Sequence, residues 1–449
     1  MKEDIVILGA GLAGLSTAYH LQKGYSLYEM ESEPGGMARS LYRGGYTFDY
    51  DGHLLHFRQE YAFKLVSDLL GGNLAPHKRS SWIYSKGNFT RYPFQANFYG
   101  LPKPIVKDCL LGLIKAKLAL TPTLSPQKTQ RVFCGEREKG EGGTNGNFEN
   151  WIRKTFGNGI ADNFMLPYNR KFWRIEPREL TCDWLDGFVP VPTLEDTITG
   201  AISDSTKPYG YNSRFWYPVK GGISELAAGF LDRVKNAHFN KKAVTIDQYR
   251  HEIIFEDGTI KSFKKLVTTI PLPELFKLLV KAPERVRDAF SMLRFTSIFI
   301  LNMGIKRDDL SEKHWIYYPE DNVVFYRIGF PANFSMDVAP QGRTSAYIEM
   351  SYSHDKEINR DMLTSDAIDG LKKTGIISDE NEIEVCLPVD IKYGYALYDC
   401  NRKQALHVIT DYLKRFNIFP TGRYGSWRYM SMEDVILEGR EIASALRSQ

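Results

Sequence analysis

Five cysteines in 449 residues (Cys109, Cys134, Cys182, Cys386 and Cys400) are scattered and odd in number, which excludes a disulfide framework. No Cys-x-x-Cys pair is present, and no metal site is expected. No apolar stretch approaches the ~18 residues a helix needs to cross a bilayer. The net charge of +4 comes without a long basic run, which argues against nucleic acid as a partner. The opening MKEDIVILGAG sets acidic residues before a short apolar run that ends in a glycine turn, unlike a signal peptide, so a cytoplasmic protein is the simplest expectation. No Ser-His-Asp or Cys-His nucleophile signature is legible, although triads assembled in space escape a sequence.

What is present is an ordinary soluble composition, 43% hydrophobic and 25% charged, in a chain long enough for about three domain-sized units. Aromatic residues are abundant, and most of them are expected to be core. Residues 4–9 (DIVILG) read as a buried parallel strand, residues 13–22 as a helix, and YSLYE as a second strand ending at Glu29. Helices are predicted over 106–120, within 147–175 and over 432–447. Residues 240–270 alternate around an Asp-Gly turn and predict a β-meander, and 296–350 read as strands. The polar, glycine-rich stretch 134–147 is expected to be a solvated insertion loop.

Gly9, Gly11 and Gly14 fit G-x-G-x-x-G after a strand and at the opening of a helix. Gly9 permits the turn, Gly11 lets a pyrophosphate approach the backbone, and Gly14 lets helix and strand pack closely. The helix N-terminus offers free N–H groups to phosphate. Glu29, 18 residues after Gly11, stands where a carboxylate accepts ribose hydroxyls. An ordinary glycine turn with a surface glutamate is the competing reading.

The continuation through Gly35, Gly36, Met37 and Arg39 resembles the E-x5-G-G-x-x-R extension of the amine-oxidase superfamily of FAD proteins. Four further segments, RYPFQANF (91–98), FGNGIADNFMLPYNRKFW (156–173), KHWIYYPEDNVVFYR (313–327) and GRYGSWRYMSMEDVI (422–436), resemble UDP-galactopyranose mutases, especially of the eukaryotic type. Weaker matches run through 48–57 and 393–395. The resemblance implies an α/β fold: a Rossmann-type FAD-binding domain (1–60, 215–285 and 405–449), an inserted, mostly helical substrate domain (61–200, with a flexible insertion near 124–147) and an antiparallel β-sheet domain (286–404).

It also implies roles. Phe164 and Gln95 match uracil contacts, with Tyr92 a further aromatic wall, and Asn169 and Trp173 match residues lining the site. Arg327, Tyr317, Tyr395 and Tyr429 match the diphosphate cage, and Trp315 its neighbouring wall. For each aromatic alone, core packing is the alternative; for Arg327 it is a salt bridge. His53 matches the histidine beside the flavin, although this chain has Asp51-Gly52-His53 where the family has Gly-Gly-His. Arg423 matches a flavin contact, and Met432 and Asp434 belong to a helix-capping pattern facing the flavin's pyrimidine edge. The family's second diphosphate arginine aligns with Trp216. Arg214, two residues earlier on the same strand face, is the expected substitute, and a pocket reshaped by Trp216 is the alternative.

The activity implied is an isomerisation without net redox change. Reduced FAD attacks the anomeric carbon, UDP leaves, and the sugar ring opens and recloses as a furanose for cell-surface glycan synthesis. The partners implied are a UDP-sugar and a reductant for the flavin, NAD(P)H being a candidate; the oligomeric state stays open. Two other readings compete: a flavin oxidase or desaturase of the amine- or protoporphyrinogen-oxidase kind, and a nucleotide-sugar-binding relative without turnover.

Overall fold

The computed structural model describes residues 4–119, 146–185 and 187–447. The expected insertion loop lies outside them except for its last two residues, of which Asn147 caps the next helix by accepting from the Asn150 N–H at 2.9 Å. Two sheets organise the rest. The first is parallel and five-stranded, in the order Ile418–Pro420, Lys265–Thr268, Ile5–Leu8, Tyr25–Tyr28, Ala237–His238. Its central strand IVIL is almost wholly buried, as a parallel strand covered on both faces should be. The helix Leu12–Leu21 follows directly, and the last helix, Met432–Arg447, lies across it, with Ser16 Oγ donating to the Ile436 carbonyl at 2.6 Å. The predicted meander forms as Ala243–Asp247, Glu252–Phe255 and Ile260–Ser262, with Asp257-Gly258 at the second turn.

The second sheet has seven strands, in the order Ile383–Ala396, Phe295–Ile305, Thr344–Ser353, Arg327–Gly329, Trp315–Tyr317, Ser81–Ser85, Asn88–Arg91. It is antiparallel except where Trp315–Tyr317 runs parallel to Ser81–Ser85. The stretch 61–200, expected to be mostly helical, therefore also supplies two strands to this sheet; SWIYS alternates buried and half-buried residues as a strand with two unlike faces does. Every residue of FTSIFILNMGI is buried, because this strand is covered on both sides. Ile298 and Ile300 face the helices Phe148–Ile160 and Leu166–Trp173, while Phe299, Leu301 and Met303 face the helix Arg360–Lys373.

The register of this sheet sets out the side chains that matter below. Tyr317 pairs with Arg327 and Arg327 with Glu349, forming one row across three strands. Two residues along, Trp315 pairs with Gly329 and Gly329 with Tyr347. Period-two alternation turns both rows to the same face. The missing side chain of Gly329 makes room for the Tyr347 ring, since a Cβ there would stand 1.9 Å from Tyr347 Cζ. Gly329→Ala is therefore expected to destabilise the protein by about 1–3 kcal/mol through overpacking. A urea unfolding midpoint equal to that of wild type would contradict this packing.

Candidate active site

A cleft of about 970 Å³ runs from the carboxyl ends of the parallel strands to the inner face of the large sheet. Ligands of open α/β sheets bind outside the carboxyl ends of the strands, and this volume is at the upper end for a small-molecule site.

Its first half is built largely of backbone. Gly9, Gly11, Glu29, Gly35, Gly36, Met37 and Arg39 all line it. Gly9 takes a φ of +101°, and a Cβ on Gly14 would lie 1.9 Å from the Gly9 carbonyl, so turn and helix interlock only through glycine. Gly14 itself stays behind the wall. At Gly11 a Cβ would meet no protein atom closer than 3.9 Å, so its missing side chain leaves space in the cleft rather than in the core. The second glycine turn docks on the first, with the Gly35 N–H donating to the Ala10 carbonyl at 2.8 Å. Glu29 accepts from the N–H groups of Ala10 (2.6 Å) and Glu31 (3.0 Å), which uses part of its acceptor capacity and leaves lone pairs for hydroxyls. Arg39 donates to the Gly36 carbonyl and lies over the Tyr50 ring. These residues fit a dinucleotide.

The far half is aromatic and cationic. Tyr92, Gln95, Phe164, Asn169, Trp315, Tyr317, Arg327, Tyr395 and Tyr429 are brought together on its walls. Gln95 is held by the Pro190 carbonyl at 2.7 Å, and Asn169 by the Met165 carbonyl. Tyr395 and Tyr429 lie nearly parallel at 5.9 Å, and the Arg423 guanidinium sits 4.9 Å from each ring. Arg423 donates to the Met430 carbonyl; burial opposes its charge, but Tyr424, Tyr395, Tyr429 and Asp51 hold it above the usual guanidinium range. Arg327 is bidentate to Glu349 (Nε at 2.8 and 2.9 Å, Nη2 at 2.5 Å). Burial works against its charge too, and Glu349, Tyr347, Tyr326 and Asp51 outweigh it. Beside it the loop 51–53 folds on itself, the His53 N–H donating to the Asp51 carbonyl at 2.7 Å. His53 and Met432 both line the cleft.

Besides Gly14, three expected residues stand elsewhere. Trp173 is buried behind the wall, where its indole N–H donates to Asn169 Oδ1 at 3.0 Å; one helical turn beyond Asn169, it orients that amide without reaching the cleft. Asp434 turns away to accept from the Ser431 N–H and hydroxyl and to pair with Arg58, so the capping pattern forms while the carboxylate leaves the wall to Ser431 and Met432. Arg214 is the substantive correction. Residues 214–217 do form a strand, but Phe215 and Tyr217 take its inner face, packing on Trp315 and Phe334. Arg214 and Trp216 share the other face: Arg214 is exposed and outside the cleft wall, and Trp216 packs on Phe57 and Phe63. The more apolar pair claimed the interior, and Arg214 does not replace the missing arginine.

Sequence reasoning also missed residues. Tyr168 and Phe172 line the cleft, stacked in a ladder with Phe164 at 5.4 and 5.9 Å. Their i, i+4, i+8 spacing was the available signal. Tyr347 and Glu349 carried none, because only strand register sets them beside Arg327. The indole N–H groups of Trp184 and Trp315, both on the wall, are buried without a protein partner, as donors waiting for a polar ligand would be.

Gly11→Val would place a branched side chain in the cleft where a pyrophosphate must approach. The purified variant is expected to lose its flavin absorbance while wild type is yellow; equal cofactor content in the two would contradict this assignment.

The family model described as flavin containing amine oxidoreductase matches residues 12–446. Among solved structures, a reduced UDP-galactopyranose mutase superposes with a TM-score of 0.88 at 28% identity, covering 99% of this chain and 96% of that one. A protein described as a protoporphyrinogen oxidase of Exiguobacterium sp. 255-15 (TM-score 0.74, 12% identity, 100% of both chains) shares the fold. So does a CLA-producing fatty acid isomerase from P. acnes (TM-score 0.67, 13% identity, 99% of both chains). The glycine turns, the carboxylate of Glu29 and this match over nearly the whole chain lead to one conclusion: the protein belongs to the flavin containing amine oxidoreductase family, with FAD as its cofactor.

Proposed function

We propose that this chain is a nucleotide-sugar mutase, interconverting the pyranose and furanose forms of UDP-galactose or a close relative. The observation that carries the reading is the row Tyr317–Arg327 beside Trp315, with Tyr395 and Tyr429 flanking Arg423, at the end of a cleft that begins at the dinucleotide turn. A uracil needs flat aromatic walls and a diphosphate needs cations with phenolic donors. A protonated amine substrate would be repelled by the Arg327 and Arg423 guanidinium groups on this wall. The similarity to a UDP-galactopyranose mutase supports the same reading.

Gly9, Gly11, Glu29, Gly35, Gly36, Met37 and Arg39 would hold the FAD, with Arg423 and Met432 near its other end. When bound and reduced, FAD supplies the nucleophile for the anomeric carbon. The protein's own residues do the rest. Phe164, Tyr168, Tyr92 and Gln95 receive the base, and Asn169, oriented by Trp173, lines the passage. Arg327 and the phenols of Tyr317, Tyr395 and Tyr429 hold the diphosphate and stabilise it as it leaves. The His53 loop stands beside the reacting face. The reductant, with NAD(P)H a candidate, and the cytoplasmic setting belong to this proposal.

Incubation with UDP-galactose and excess dithionite is expected to give a furanose product, with no stoichiometric consumption of reductant. Steady oxygen uptake with an amine or porphyrinogen, and no sugar isomerisation, would favour an oxidase. Tight UDP binding without product would indicate a binding protein. Arg327→Ala should weaken UDP by roughly 10- to 150-fold, the value of a charge-assisted contact of about 1.5–3 kcal/mol. Arg214→Ala should leave the UDP dissociation constant within about twofold, since exposed side chains away from a site change energies by about 0.5 kcal/mol or less. An unchanged constant in flavin-loaded Arg327→Ala would remove that residue from the site.

A further inference from the structure

Asp51 opens the loop 51–53 on the wall of the cleft. Its Oδ1 lies 3.7 Å from Arg327 Nη2, and Glu349 Oε1 lies 2.5 Å from the same nitrogen while Glu349 also accepts from Arg327 Nε. Two carboxyl groups thus face one guanidinium where the Glu349 side chain is fully buried and those of Asp51 and Arg327 are 18% and 19% exposed. Two carboxylates converging on one guanidinium nitrogen in such a place do not both ionise readily. With one proton between them the cluster is neutral; with none it carries a net negative charge beside the Arg327 guanidinium.

We propose that Asp51 and Glu349 hold a single proton between them, and that this proton determines whether Arg327 can receive an anionic group. A sugar diphosphate binds the protonated pair and is repelled once the proton is lost. The inference rests on the nucleotide-sugar reading above.

The electrostatics agree in direction. Burial, and then the charge of Asp51 against the opposing pull of Arg327, pushes the Glu349 carboxyl up to about 8. For Asp51, burial is outweighed by Arg327, Glu349 and His53, which hold it below the usual range. Titration belongs to the pair rather than to either member. The groups facing the pair from the elements around it are His53 on its own loop, Tyr317, Tyr326 and Tyr347 from the sheet, Tyr168 from the helix Leu166–Trp173, Tyr395, and Arg423, Tyr424 and Tyr429 beyond it. Burial pushes the phenols of Tyr168, Tyr326, Tyr347, Tyr395, Tyr424 and Tyr429 up, and both arginines stay charged, so neither these phenols nor the arginines change state between neutrality and about pH 9. The sign follows. As pH rises through the titration of the pair, a proton that favours the bound state is removed, and affinity falls.

The test uses oxidised holoenzyme, which the functional reading expects to bind without turnover, and UDP-galactose, whose diphosphate is esterified at both ends and does not itself titrate near neutrality. Calorimetry is run from about pH 7 to pH 9 in two buffers of different ionisation heat. Wild-type affinity is expected to fall roughly tenfold over this range by linkage, and binding at about pH 8.5 to take up protons, giving buffer-dependent heats. Asp51→Gly should flatten the profile to less than about threefold and abolish the uptake, because Glu349 then forms a simple ion pair with Arg327. Asp51→Asn, close in shape, serves if the glycine variant loses its flavin. Identical heats in both buffers for wild type, or the same pH slope in wild type and both variants, would overturn the inference while leaving the functional reading intact. No binding at any pH would remove that reading and this inference with it.

Discussion

A guanidinium drawn mostly out of water needs a carboxylate beside it, and the pairing of half-buried Arg327 with fully buried Glu349 is what the far half of the cleft depends on. Taking one partner from such a pair typically costs about 3–5 kcal/mol, because the other charge is left stranded. The match is secured by register: the two residues are direct neighbours on adjacent antiparallel strands, and a slip of one position would turn one of them to the opposite face. The same register sets Tyr317 in the row and Tyr347 over Gly329. Charge, phenols and wall therefore share one scaffold, and none of them moves independently.

The two halves of the cleft are made in different ways. The dinucleotide half is local, since a strand, a glycine turn, a helix and a carboxylate all lie within the first 40 residues and their backbone does most of the recognition. The far half gathers the segment 92–95, the helix around 164–172, three strands between 315 and 349, and residues near 395, 423 and 429. Aromatic contacts join these pieces alongside hydrogen bonds: Tyr168 against Tyr317, Tyr395 over Tyr429, and Lys171 Nζ donating to the Tyr318 and Glu320 carbonyls. Within this assembly the strand 214–217 gives its apolar face to the interior, so the positive charge in the far half comes from Arg327 and Arg423.

The sequence by itself determined the elements whose signals are short-range. The opening strand, the G-x-G-x-x-G turn with its helix, Glu29 at the end of the second strand and the 243–262 meander follow from periodicity and glycine chemistry, which act over a few residues. Segment resemblance added most of the far wall. Only the tertiary structure decided which way side chains face when two neighbours compete for one interior. Phe215 took the interior instead of Arg214, Trp173 packed into the core behind Asn169, and Asp434 paired with Arg58. It also decided the partnership of Asp51 with Glu349, residues almost 300 positions apart in the chain. Contacts at such separation depend on how sheets and loops pack, and the composition of either segment carries no record of the other.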